Sequence, residues 1–157
     1  MPASATAIVP GHAGTLSLRV SWRDQPDQER YREEIERLCR EALVRAGYSL
    51  ENGGPEYNLR IASVAVDTPF ENIGTPAPGE GRTALVKVRP VATIDAAVRL
   101  PDGREVEASA IYHGLFTGRE PEAYREIAFA DAAQSAAERL VRLIRSHPPA
   151  TSFKPQN

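Results

Sequence analysis

The sequence predicts an α+β fold, a two-layer sandwich in which two helices cover one face of a four-stranded mixed sheet, in the order β-α-β-β-β-α. Three observations predict it. Strand-type alternation runs through most of Ala84 to Phe116, two stretches carry apolar residues at helical spacing, and the first of these lies between strand-type segments as a crossover requires.

The chain has 157 residues, enough for one domain that buries roughly 70% of its extended-chain surface without a disulfide. Its composition, 41% hydrophobic and 25% charged, is that of a globular protein, and a net charge of −2 argues against a nucleic-acid binder held by bulk positive charge. Cys39 is the single cysteine, which excludes an intramolecular disulfide and a cysteine-based zinc site. No apolar run approaches the length of a membrane-spanning helix.

Residues 1–14 are small, polar and punctuated by Gly and Pro, and read as a flexible arm or tether; 15–147 form the α+β domain, and 148–157 a tail. Thr15 to Arg23 alternates with Leu16, Leu18, Val20 and Trp22 on one side, which makes a strand. Asp27 is placed to cap a helix whose stripe is Tyr31, Ile35, Leu38, Cys39, Ala42, Leu43 and Ala46, and Gly47 follows as its C′ residue. Tyr57 to Val66 is the next strand, and its apolar parity changes near Ser63, which predicts a bulge or burial on both faces. Asp67 to Arg82 holds three prolines and three glycines without periodicity, so it is a long loop, functional or disordered.

The long hairpin, Thr83 to Phe116, comes next. From Ala84 to Leu100 the even positions except Pro90 are apolar or small, Pro101-Asp102-Gly103 turns the chain, and alternation resumes at Val106, Ala108, Ala110, Tyr112 and Phe116. A register centred on Asp102 sets Arg99 against Glu105, Val98 against Val106 and His113 against Val91. Pro121 suits the first position of a last helix with the stripe Tyr124, Ile127, Ala128, Ala132, Ala136, Leu140, Leu143 and Ile144, which His147-Pro148-Pro149 stops.

Metal and nucleotide motifs are missing from the sequence. His12, His113 and His147 have no ligand spacing, Gly79-Glu80-Gly81 lacks the ending of a phosphate loop, and Cys39 falls on a helix's apolar stripe, so no metal, cofactor or catalytic residue is expected. The expected site is the face of the sheet that the helices leave open. It would carry Lys87, Arg89, Val91, Ile111 and His113 from the hairpin, with Leu115, joined by Arg19 and Arg60 from the first two strands. Apolar groups beside basic ones suit an anionic amphiphile or a protein wall, and Phe70 and Ile73 would add a docking element from the 67–82 loop. Two other readings stay open: a small periplasmic or cytosolic ligand-binding domain or enzyme using His113 and the 67–82 loop, and a homodimer that buries the open face.

The element order, the helix ending Ala46-Gly47-Tyr48, the strand-turn-strand VRLPDGREVEASAIYHG and the closing FADAAQSAAERLVRLI resemble bacterial envelope lipoproteins, in particular the lipopolysaccharide-assembly lipoprotein family (LptE). The resemblance covers about Thr15 to Arg145. It implies a non-enzymatic accessory role in the periplasm, a tether to the outer membrane by a lipidated cysteine ahead of Pro2, an outer-membrane barrel partner (LptD), and contact of basic residues with lipopolysaccharide. No nucleic-acid partner is implied.

Overall fold

The computed structural model describes residues 13–23, 28–74 and 85–149. The expected arm at 1–12, the cap at Asp27, the 75–82 part of the predicted loop, the hairpin start at 83–84 and the tail from 150 onward lie outside the described residues. The described elements are β1 (Gly14–Trp22), α1 (Glu29–Arg45), β2 (Tyr48–Leu50), β3 (Glu56–Asp67), β4 (Phe70–Gly74), β5 (Leu85–Val88), β6 (Val91–Arg99), β7 (Glu105–Glu107), β8 (Ala110–His113), β9 (Phe116–Gly118), a 3₁₀ turn (Pro121–Tyr124) and α2 (Arg125–Ser146).

The strands form two sheets. One is ordered β2-β1-β3-β6, with β7 and β8 in succession along the far side of β6; the other is β4-β5-β9. β1 pairs in parallel with both β2 and β3, so α1 is the expected crossover, and the rest of the pairing is antiparallel. The hairpin register is as expected, with Arg99 opposite Glu105, Val98 opposite Val106 and Val91 opposite His113. Gly103 takes φ 95° in the turn, where Asp102 Oδ1 accepts the Arg104 N–H at 2.9 Å. The bulge also falls where parity changes, between Ile61 and Ser63. Gly47, at φ 99°, ends α1 as a left-handed C′ residue.

Four strands become nine because the long strands are interrupted and because Tyr48–Leu50 adds a short strand, β2, beside β1. Proline has no N–H to give a ladder, and Pro69 and Pro90 fall at adjacent levels of neighbouring strand lines, Pro69 opposite Arg89 and Pro90 opposite Thr68. The chain steps past them with two bonds to their carbonyls: Arg89 N–H donates to Pro69 O and Gly114 N–H to Pro90 O, both at 2.9 Å. Three strands therefore break at one level, β3 into β4, β6 from β5, and β8 into β9, and the distal pieces form an arm of their own. Phe70–Gly74 is thus a paired strand, although the sequence predicts loop there. A second break divides β7 from β8, where Ser109 Oγ replaces a backbone acceptor and takes the Ala96 N–H at 3.2 Å.

Alternation survives the break. Val86, Val88, Pro90, Ala92, Ile94, Ala96, Val98 and Leu100 are all buried, so one side of the strand line is covered throughout. Over the main sheet the cover is the two helices; α2 brings Ala128, Ala132, Ala133, Ala136 and Ala137, all buried, whose small size permits close approach. Tyr31 and Phe129 join the helices with ring centroids 4.3 Å apart. Fully buried Tyr57 donates its hydroxyl to His147 O at 2.9 Å, tying β3 to the end of α2. Over the arm, Tyr124 of the 3₁₀ turn stacks on Phe116 with centroids 4.7 Å apart, and a Cβ at Gly118 would collide with its hydroxyl. Pro121 accordingly opens this 3₁₀ turn, and the α-helix proper starts at Arg125. At the other end, Gln28 occupies the N-cap of α1 without a side-chain cap bond.

Candidate functional site

The uncovered face of the sheets follows from register. Lys87 lies between Glu71 and Thr117, Val91 between Asp67 and His113, and Thr93 between Ala65 and Ile111. Farther along, Asp95 faces Ser63, Ala97 lies between Arg60 and Glu107, and Arg99 lies between Asn58 and Glu105; Arg19 and Ser21 of β1 face Asn58 and Arg60. Most of the expected site thus shares a face, but its two ends differ.

The distal end brings together Lys87, Arg89, Val91, Ile111 and His113, along with Ile73 and Leu115. Ile73, Ile111 and Leu115 are 48%, 56% and 59% exposed. Leu85 joins them at 39% exposure. Its signal in the sequence was an apolar residue on an odd position of an even-apolar strand. Phe70 corrects the expectation: it faces Val88 and so belongs by register to the covered side, yet it is 57% exposed because β4 is an edge strand. Lys87 and Arg89 make no ion pair among the described residues.

Arg19 and Arg60 are not part of that cluster. Arg60 is level with Ala97, eight residues from Arg89, or about 26 Å at ~3.3 Å per residue. It is held by Glu105 in an ion pair that crosses β6, a partner that sequence spacing alone did not show. Around this pair lies an open cleft of about 560 Å³, lined among others by Ser21, Arg23, Arg60, Asp95 and Glu105. Ser21 Oγ donates to Asn58 Oδ1 at 3.0 Å and Ser109 Oγ to Asp95 Oδ1 at 3.1 Å, so these four polar groups satisfy one another.

The chemistry elsewhere is quiet. His113 is exposed and level with Val91, while Asp95 is engaged by Ser109, so the two do not form an acid-base pair. Cys39 is fully buried, and burial pushes its thiol up to about 12, away from the reactive thiolate form. Among the described residues there is no group of three His, Cys, Asp or Glu placed to hold a metal ion. None of the described helices is long and apolar enough to cross a membrane.

No protein-family model matches the sequence, and no curated protein matches it. Solved structures do resemble the fold. The rare lipoprotein B from Shewanella oneidensis is 18% identical and superposes with a TM-score of 0.50 over 84% of this chain and 94% of that one. A minor lipoprotein from Acinetobacter baumannii gives 15% identity and a TM-score of 0.48 over 84% and 92% of the two chains. Lipoprotein B from Nitrosomonas europaea gives 13% and 0.38 over 91% and 97%. The chain therefore has the α+β fold of the rare lipoprotein B structure.

Proposed function

We propose that this protein is a non-enzymatic accessory lipoprotein of the bacterial envelope, held at the periplasmic side of the outer membrane, where it docks on an outer-membrane protein. Lipopolysaccharide assembly is the process that this reading favours. The observation that carries it is the uncovered sheet face, whose distal end exposes Ile111 and Leu115 beside Arg89 and Lys87 on a scaffold shared with rare lipoprotein B. A rigid sheet with one face sealed by helices presents the other without rearrangement, which suits a docking element. The experiment is site-specific photo-crosslinking in Gram-negative cells that produce the chain. A crosslinker at Ile111 should capture one outer-membrane barrel protein, while one at Arg37, on the outer side of α1, should not. Identical products from both positions, or recovery of the chain in the cytosol alone, would refute the reading.

A further inference from the structure

Exposed apolar side chains are not scattered evenly. The large ones among the described residues are Val44, Phe70, Ile73, Leu85, Ile111, Leu115 and Ile127, and five of these seven sit on the distal arm or on β8 beside its proline break. The arm's charge is equally distinct. Within 68–74, 85–90 and 114–119 there are three cations (Lys87, Arg89, Arg119) and one carboxylate (Glu71), a net of +2 on a chain of net charge −2. None of the three cations has an ion-pair partner among the described residues. On α1, by contrast, four of the five arginines, Arg30, Arg32, Arg37 and Arg40, are paired with glutamates. Asp67, just inside the break, is itself occupied by the Thr68 N–H at 2.9 Å.

We infer that the β4-β5-β9 arm contacts an anionic phospholipid surface, with Ile73, Leu85 and Leu115 entering the boundary between headgroups and acyl chains and Lys87 and Arg89 meeting the lipid phosphates. Unpaired cations beside exposed aliphatic groups complement an anionic, apolar medium in both respects. A bilayer fits better than a protein wall because the exposed apolar groups lie on both sides of the arm. Phe70 is level with Val88 on one side, and Leu85 alternates on β5 with Val86 onto the side of Lys87. A rigid partner covers one side of a thin arm, whereas lipid closes round it. Lys87 has a long aliphatic stem that lets its ammonium reach outward while the stem stays in apolar surroundings. The arm shares Lys87, Arg89 and Leu115 with the face proposed to dock on a protein, so lipid on the arm leaves Ile111 of β8 to the protein partner.

The test is co-sedimentation of the full chain with vesicles of phosphatidylcholine alone or mixed with phosphatidylglycerol. The protein should pellet with the anionic vesicles only, and less so as salt is raised. Neutralising both cations (Lys87→Gln with Arg89→Gln) should lower the partition coefficient roughly 30-fold, at about fivefold per charge near the surface. Ile73→Ser with Leu85→Ser should lower it more than about tenfold. Arg37→Gln should leave it unchanged, and thermal unfolding of each variant should show the fold intact. Equal binding to both vesicle types, no pelleting at low salt, or a double cation variant that binds normally would overturn the proposal. So would a crosslinker at Ile73 that captures protein in cells and never a photoactivatable lipid.

Discussion

Neighbouring residues of β6 live under opposite rules. Ile94 is 1% exposed beneath α2, while Thr93 and Asp95, one position away on either side, look out from the uncovered face. The covered face is dry and filled by aliphatic groups and helix alanines. The uncovered face is divided into an ion-paired end and an apolar, cationic one. Stability therefore belongs to the first face and recognition to the second, although the same backbone bonds serve both.

The comparison breaks most readily at its centre. Ile94→Ala should cost about 3 kcal/mol, the loss of transfer energy plus an unfilled cavity, as measured by urea unfolding. Ile111→Ala, on the uncovered face and 56% exposed, should stay within about 0.5 kcal/mol. A comparable loss from both would mean that the open face is part of the core.

This division was largely legible in the sequence, since a period of two assigns each residue of β6 and β8 to a side regardless of where a strand breaks, and does so for β3 on either side of its bulge. The breaks were less legible. Pro90 stood out as the one exception to the even apolar positions, but nothing local says that Pro69 falls at the adjacent level of the neighbouring strand line, because that adjacency is made by β3 pairing with β6. For the same reason Phe70–Gly74 read as loop: its Gly and Pro surroundings mask a strand that exists only because β5 pairs with it. Likewise Arg60 was assigned to the right face, but its partner Glu105 lies 45 residues away and could not be foreseen.

A smaller effect sharpens the covered side. Ala133 is fully buried on α2, so Ala133→Leu must push the helix off the sheet; roughly 2 kcal/mol of destabilisation is expected from overpacking. Thermal unfolding would show it. An unchanged midpoint would mean that the alanines line spare volume, which the buried stripe argues against.

Alkali probes the same side without a mutation. Burial raises the Cys39 thiol from 9.0 to about 12 and the Tyr57 hydroxyl from 10.0 to about 12. Both groups hold their protons in the folded protein at a pH where the unfolded chain releases them, so the unfolded state binds fewer protons and stability falls as pH rises. The fall should begin near pH 9, at up to about 1.4 kcal/mol per pH unit for the thiol alone, and steepen above pH 10. Cys39→Val should delay the onset to the range in which Tyr57 acts. Denaturant midpoints that stay flat from pH 9 to 11 would contradict the burial of both groups.

The smallest effect belongs to the uncovered face. Arg60 and Glu105 are paired with side chains 52% and 40% exposed, where water screens the attraction and ordering two long side chains costs entropy. Arg60→Ala should cost no more than about 0.5 kcal/mol, and a double-mutant cycle with Glu105→Ala should give a coupling of the same order. The value matters more than its size suggests. A coupling well above ~1 kcal/mol would make the pair a fixed strap across β6 and the cleft beside it a structural seam. A weak coupling leaves the Arg60 guanidinium able to leave Glu105 at little cost, so that the cleft end of the face could offer a cation to a partner already seated on the arm.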